Sequence, residues 1–192
     1  MLPKVAIIYL SYNSKKYLDE VFLSLDKLDY PRDRLEIIFV DNVSTDGTRE
    51  YLSGVDGITY FPNNENTGFA EGNNLAIRYA ISKGIDYVYL HNPDLRLHPQ
   101  AIKEAVMMAE SDEKIGSVQS FMKLWKDEGT INSTGGMVHF LGFGFVRDNG
   151  SRVDNIVPTF RDGEEITYAS GAAVLFRTSA LKNVGLLDSH LW

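Results

Sequence analysis

The sequence predicts an α/β protein built on a mostly parallel sheet with helices on both faces. Three observations carry this prediction. Short apolar runs recur along the first 119 residues, among them Leu35-Glu36-Ile37-Ile38-Phe39-Val40 and Tyr87-Val88-Tyr89-Leu90. Segments with helical apolar spacing separate them, such as Leu18, Val21, Phe22 and Leu25. The two patterns alternate strictly, and consecutive parallel strands joined by helices imply right-handed crossovers.

Each element follows from its residues. Lys4 to Leu10 is a short apolar run rich in β-formers, a buried strand, and Ser11-Tyr12-Asn13-Ser14 is a polar turn able to cap the helix carrying Leu18 to Leu25. Tyr30-Pro31 closes that unit, and Leu35 to Val40 is the second strand. Thr45-Asp46-Gly47-Thr48 starts a short helix through Leu52, with Ser44 and Asp46 as its caps. Gly57 to Phe61 is the third strand. Gly68 to Lys83 reads as a helix with Leu75, Ala76, Tyr79 and Ala80 on one face, closed by Gly84. Asp86 to His91 is the fourth strand, Pro99 to Glu110 a helix, and Ile115 to Gln119 the fifth strand. The rhythm then breaks. Residues 129–165 are rich in Gly, Asp and Asn, and Gly135-Gly136 and Gly142-Phe143-Gly144-Phe145 mark turns or hairpins. A loop region this long inside one domain is functional or mobile. Ser170 to Arg177 is another apolar run and reads as a further strand, and Thr178 opens a last short helix.

Composition narrows the function. The 192 residues are 44% hydrophobic and 23% charged, which suits one domain with a sizeable core. A net charge of −7 argues against an electrostatic nucleic-acid surface. The chain has no cysteine, which removes disulfides, thiolate nucleophiles and cysteine metal sites. The N-terminus lacks a signal-peptide pattern, and no apolar run reaches the roughly 18–20 residues of a membrane span. The expected location is the cytoplasm, with the inner face of the membrane as a compatible place of work. The last residues, Leu186 to Trp192, end on an apolar aromatic, so we expect a chain cut from something longer.

Two carboxylates stand at strand ends, where open α/β sheets bind ligands. Asp41 follows the second strand and opens the turn Asn42-Val43-Ser44-Thr45-Asp46-Gly47-Thr48. Such a carboxylate can accept a nucleobase ring N–H or a ribose hydroxyl, and equally can cap a helix or join a salt bridge. Asp94, in His91-Asn92-Pro93-Asp94, follows the fourth strand. Mg²⁺ and Mn²⁺ bind through one or two carboxylates plus substrate phosphates, so Asp94 is a candidate metal ligand, against the plain reading of an Asn-Pro-Asp turn. Asn66-Thr67-Gly68-Phe69-Ala70-Glu71-Gly72-Asn73-Asn74 places a glycine and a helix N-terminus where backbone can approach an anion. Neither a dinucleotide fingerprint nor a phosphate loop is present. The four histidines show no ligand spacing, and Trp125, Phe140, Phe143 and Phe145 could line a sugar site or simply pack as lids.

Taken in order, these blocks resemble the catalytic domain of a family 2 glycosyltransferase with the GT-A fold, a Rossmann-like sheet. The matching blocks are Tyr12-Asn13, Val40-Asp41-Asn42 with Ser44 to Thr48, Asn66 to Asn74, and Leu90 to Asp94. A fifth, Ser170-Gly171-Ala172 through Arg177 to Gly185-Leu186-Leu187-Asp188, resembles the acceptor-side segment. The third and fourth blocks resemble the rhamnosyltransferase-like branch. The resemblance implies one catalytic domain over 1–192, with residues 1–119 as the nucleotide-binding half and 120–192 as an incomplete acceptor-side half. It implies transfer of a sugar from a UDP-, dTDP- or GDP-linked donor to a glycan or lipid-linked acceptor, as in polysaccharide or cell-surface glycan synthesis. Ser11, Tyr12, Asn13, Asp41, Gly68 and Asn73 would face the nucleotide. Asn92 and Asp94 would hold Mg²⁺ or Mn²⁺, with Asn standing where the family's first metal-binding aspartate stands. Ser170 and Gly171 would face the acceptor or sugar. The implied mechanism is an inverting displacement, its base expected beyond Trp192 and Asp188 the nearby substitute. Membrane association is expected only through missing C-terminal parts. A non-catalytic nucleotide-sugar-binding module and a sugar nucleotidyltransferase are the competing readings; the second lacks its Gly-rich basic loop here.

Overall fold

The computed structural model of the chain describes residues 1–157 and 161–190. Strand and helix alternate as β1 (Val5–Ser11), α1 (Lys15–Asp26), β2 (Leu35–Asp41), α2 (Thr48–Ser53), β3 (Thr59–Pro62), α3 (Gly68–Ser82), β4 (Tyr87–His91), α4 (Ala101–Glu110) and β5 (Ser117–Gln119). Then follow β6 (Met122–Leu124), β7 (Asp127–Ser133), β8 (Gly136–Val138), β9 (Gly144–Val146), α5 (Val153–Ile156), β10 (Ala173–Arg177) and α6 (Thr178–Val184). Six strands form the central sheet in the order β3-β2-β1-β4-β10-β5. β1 runs parallel to β2 and β4, and β2 runs parallel to β3. β10 alone is reversed, antiparallel to both β4 and β5.

The alternation of side chains along each strand sorts the core into two layers. Val5, Ile7, Tyr9, Ile37, Phe39, Tyr87 and Tyr89 pack against Leu18, Val21 and Leu25 of α1, Leu52 of α2, and Ile102, Ala105, Val106 and Ala109 of α4. Ala6, Ile8, Ile38, Val40, Val88 and Leu90 pack against Ala76, Ile77 and Ala80 of α3 and Leu181 of α6. Helices therefore cover both faces, and the central strands are apolar on both sides because neither side meets water. Each fully buried Ile or Leu contributes about 1.5–3 kcal/mol of transfer free energy, so these layers dominate what holds the sheet together.

Local chemistry moves several boundaries. α2 begins at Thr48, three residues later than the Thr45 expected, because Gly47 at φ 90° sits outside helical space. Gly84 at φ 66° closes α3 as expected, with its own N–H on Ile81 O and that of Ile85 on Ala80 O. Ser44 does not cap α2; its Oγ accepts the Asn13 N–H at 2.8 Å and ties two loops together. The Gly-rich region after β5 folds into two small antiparallel pairs, β6–β7 and β8–β9. Tyr168 lies against Gly136, where a Cβ would meet its ring at 2.3 Å. Among the described residues, no helix is long and apolar enough to cross a membrane.

Candidate functional site

The C-terminal edge of the parallel strands gathers residues from distant parts of the chain. Ser11 ends β1 and pairs in register with Asp41, which ends β2. The Asp41 side chain is 0% exposed. Its Oδ2 accepts Arg49 Nε at 3.1 Å, and both oxygens share the Ser44 N–H at 3.3 Å. Arg49, the second residue of α2, also donates to the Asn63 carbonyl and so spans the ends of β2 and β3. The hydrogen bond to Asp41 raises the guanidinium pKa further above its ordinary value. A ligand reaches this carboxylate only after Arg49 or a flanking turn moves.

Those flanking turns are fastened to each other. Asn13 N–H donates to Ser44 Oγ, and Asn13 Oδ1 accepts the Thr45 N–H at 2.8 Å. Asn13 and Val43 both hold positive φ, 53° and 64°. For the β-branched Val43 that region is strained, and strain of this kind gathers at functional sites. Behind them Asn42 is a buried hub. Its Nδ2 donates to Gly68 O, and its Oδ1 accepts from Asn63 Nδ2 and Thr67 Oγ1. Gly68, at φ 75°, turns the chain into α3 beside this hub. Leu10 packs closely on Gly72 there, and a Cβ at residue 72 would meet Leu10 Cδ1 at 2.5 Å and push that side chain aside. Asn73 is buried, its amide given to the Phe69 carbonyl one turn back.

β4 delivers the second carboxylate. His91 is 3% exposed, stacked beside Tyr89 and edge-on to Tyr9. Burial pushes its pKa down to about 3, so it is neutral at physiological pH. Its Nδ1, Ser11 Oγ and Tyr9 Oη are buried without a protein partner, a polar seam under the strand ends. Asn92 N–H then donates to Ala172 O at 2.9 Å, and Leu95 N–H to Asn92 O at 3.2 Å, which fixes the tight turn. Asp94 on that turn is exposed, and no hydrogen bond or ion pair engages its carboxylate among the described residues. No group of three or more acidic or histidine side chains that could hold an ion occurs among the described residues. A lone free carboxylate with a neighbouring amide fits a hard cation whose remaining ligands are substrate phosphates and water.

β10 brings in the third part. Ala173 pairs with His91, so the Ser170-Gly171-Ala172 turn sits beside the Asn92–Asp94 turn despite its distance in sequence. Ser170 N–H is held by Gln119 Oε1 at 2.7 Å. The Phe69 ring lies against Gly171, where a Cβ would stand 2.7 Å from Phe69 Cζ. Asp188 is exposed and accepts the His190 N–H at 2.9 Å. Its segment is pinned to α3 by Asn74, which gives Nδ2 to Leu187 O and takes Leu187 N–H on Oδ1. Leu191 and Trp192, on which the expectation of a missing base rests, lie outside the described residues. Of the aromatic candidates, Trp125 stacks on Arg96 at 4.1 Å, two residues past Asp94. Phe140 and Phe143 instead flank His139 at the β8–β9 tip. A cleft of about 490 Å³ lies at the opposite end of the sheet, lined by Arg34, Asp86, Glu110 and Arg177. Its Arg177 is committed to Glu110 and to the Ile115 carbonyl.

The structure thus gathers Ser11, Asn13, Asp41 and Gly68 at one end of the strand edge and Asn92, Asp94, Ser170 and Gly171 at the other. Asp188 stands on the α3 side of the sheet. Sequence reasoning missed Arg49, Asn42 and the Phe69–Gly171 contact. The Asn directly after the strand-end Asp was the one available signal for the hub; nothing local marks the other two.

The family described as Glycosyl transferase family 2 matches residues 6–185. The chain is 29% identical over 112 residues to the low-salt glycan biosynthesis hexosyltransferase Agl10 of Haloferax volcanii, covering 58% of this chain and 34% of that protein. A crystal structure of Staphylococcus aureus TarS superposes with a TM-score of 0.64 at 22% identity, over 94% of this chain and 48% of that one. The mannosyltransferase PcManGT from Pyrobaculum calidifontis, solved with GDP-Man and Mn²⁺, superposes with a TM-score of 0.67 at 22% identity, over 98% of this chain and 48% of that one. The chain therefore spans less than half the length of each of these three relatives.

Proposed function

The chain belongs to glycosyl transferase family 2 and has the GT-A fold, and on that premise we propose that it transfers a sugar from a nucleoside diphosphate donor to an acceptor hydroxyl. The observation that carries this reading is Asp94, an exposed carboxylate without a protein partner, on a turn fixed to both β4 and the β10 entrance. Nothing structural requires a charge there, whereas a diphosphate with its cation does. Residues 1–119 form the nucleotide side in this proposal, and 120–192 the acceptor side. Asp41 accepts the ring N–H of the base once its cover opens, and Ser11, Tyr12, Asn13, Gly68 and Asn73 border the nucleoside. Asp94 and the Asn92 side-chain oxygen would hold Mg²⁺ or Mn²⁺, which would supply Lewis-acid stabilisation of the leaving diphosphate.

The transfer itself is one displacement. The acceptor oxygen attacks the anomeric carbon opposite the diphosphate, the bond to the diphosphate oxygen breaks, and the acceptor proton passes to a carboxylate. Within these 192 residues Asp188 is our candidate for that base. Donor complexes of PcManGT with Mn²⁺ and of TarS with UDP-GlcNAc support a nucleotide sugar and a divalent ion as the ligands to try first. TarS is named a poly(ribitol-phosphate) β-N-acetylglucosaminyltransferase and Agl10 a glycan-biosynthesis enzyme, which supports a polysaccharide or surface-glycan acceptor. Work in the cytoplasm, at the inner face of the membrane, belongs to the same proposal.

The test is thermal unfolding with UDP, dTDP and GDP, each with and without MnCl₂. At least one diphosphate should raise the midpoint, and more so with metal, because a ligand that binds only the folded state stabilises it by mass action. Asp94→Ala should keep its fold and lose the metal-dependent increment. Absence of a shift with every nucleotide sinks the reading. For the base, Asp188→Asn should abolish turnover while leaving nucleotide binding intact; unchanged turnover excludes Asp188.

A further inference from the structure

We propose that Phe69 is the platform for the transferred sugar, receiving the apolar C–H face of a pyranose ring. The inference rests on the nucleotide site proposed above and adds where along it the sugar lies. Asp41, Ser11, Asn92 and Ala173 lie at or just past the ends of β2, β1, β4 and β10, which are consecutive neighbours in the sheet. Neighbouring strands lie about 4.8 Å apart, so β2 and β4 are separated by about 10 Å and β2 and β10 by about 14 Å. A sugar nucleotide is itself linear: base, ribose, diphosphate, sugar. With the base at Asp41 and the diphosphate at Asp94, the next group along the line falls at the Ser170-Gly171-Ala172 turn, and Phe69 covers that turn.

Phe69 is built for such a contact in two ways. The residue is 45% exposed, so apolar surface meets solvent beside the polar turns at the strand ends. It is also held in place. The ring occupies the space a side chain at residue 171 would fill, with Cζ 2.7 Å and Cε1 3.1 Å from the position of a Cβ there. Its backbone is fixed as well, by Gly68 at φ 75° before it and by the Asn73 amide on its carbonyl at 2.8 Å. A rigid, half-exposed ring loses little conformational freedom when it binds, and aromatic faces contribute large contact area at low entropic cost. The glycine at 171 and the glycine at 68 are then parts of one device, the first making room for the ring and the second aiming it.

The experiment compares bare and glycosylated nucleotides by titration calorimetry in MnCl₂. The probes are UDP with UDP-glucose, dTDP with dTDP-glucose, and GDP with GDP-mannose, against wild type, Phe69→Ala, Phe69→Trp, Gly171→Val and Asp41→Asn. Phe69→Ala should leave the Kd of the bare diphosphate within about twofold and weaken its best-bound glycosylated partner about tenfold. Phe69→Trp should restore that partner, and Gly171→Val, which expels the ring without removing it, should reproduce the selective loss. Equal weakening of bare and glycosylated forms by Phe69→Ala, or no weakening of either, overturns the Phe69 assignment and leaves the nucleotide site standing. A wild type that binds no diphosphate, or an Asp41→Asn that binds them all unchanged, overturns the nucleotide reading and the placement of Phe69 with it.

Discussion

Asp41 has none of its side chain in contact with solvent, and its ion-pair partner is Arg49. Of the two readings of a strand-end aspartate, the salt bridge is the one that forms, and the ligand contact belongs to the proposal. The sequence announced the carboxylate through the apolar run before it, but not the guanidinium, which comes from the next helix across a strained turn. His91 is the other buried polar residue whose chemistry has a measurable consequence. Its folded pKa of about 3 lies below the ordinary 6.5, because burial disfavours the imidazolium. Above pH 6.5 both folded and unfolded chains hold it neutral, and its environment costs nothing extra. Below pH 6.5 the unfolded chain takes up a proton that the folded chain refuses, so stability falls as the pH drops toward 3. Between pH 7 and pH 5 this one residue should cost about 2 kcal/mol. Urea unfolding of wild type and His91→Phe at both pH values checks it: the wild type should lose that much more than the variant. Parallel losses in the two proteins would show that His91 titrates normally.

At the scale of elements, the strands and long helices were legible because each carries its own period of apolar residues. Val5–Ser11 and Leu35–Asp41 fell within a residue or so of their expected bounds. The place of β10 was not legible. An apolar run reads the same in either direction, and nothing in Ala173–Arg177 says that it enters the sheet reversed between β4 and β5. The small antiparallel pairs after β5 were foreseen as turns or hairpins without strand bounds, since the three-residue strands β6, β8 and β9 carry too little pattern. Helix caps show the same limit. Asp46 was expected to cap α2, and it accepts the Thr48 N–H at 3.0 Å and the Thr48 hydroxyl at 2.6 Å. It also accepts the Lys15 N–H at 2.9 Å, at the start of α1, which the sequence gave no reason to expect. Burial would raise its pKa, but the bonds from Thr48 and Lys15 outweigh this and lower it. One carboxylate therefore caps two helices and fastens the β1–α1 turn to the β2–α2 turn. Asp46→Ala should cost about 1–2 kcal/mol in chemical denaturation, the loss typical of a strong cap. Asp46→Asn should recover part of it through the remaining side-chain oxygen. A loss below a few tenths of a kcal/mol would mean that water replaces both bonds.

At the scale of the molecule, the two halves of the edge are sewn together by polar ties across long stretches of chain. Gln119 holds Ser170, Asn92 holds Ala172, and Asn74 holds Leu187. Such ties explain why residues 120–192 were harder to read than residues 1–119. Their position depends on single amides meeting backbone far away, and a single amide has no periodicity. The Asn74 tie is the most exacting, because a nearly buried side chain both gives to and takes from one backbone residue, 113 positions apart. Asn74→Ala strands the Leu187 N–H and carbonyl together. The loss should be about 2 kcal/mol, and roughly 4–8 °C in the unfolding midpoint for a chain of this size. The local effect should exceed the global one. With its two bonds gone, the segment from Leu186 to His190 is left with the packing of Leu186 and Leu187 on the α3-side layer, so the Leu187 amide should exchange with solvent far faster while amides of β1 and β4 keep their protection. If Asp188 takes the acceptor proton from this segment, turnover should fall in Asn74→Ala while the affinity for the nucleoside diphosphate stays near that of wild type. A Leu187 amide that remains protected would show that the segment is held by packing and not by Asn74.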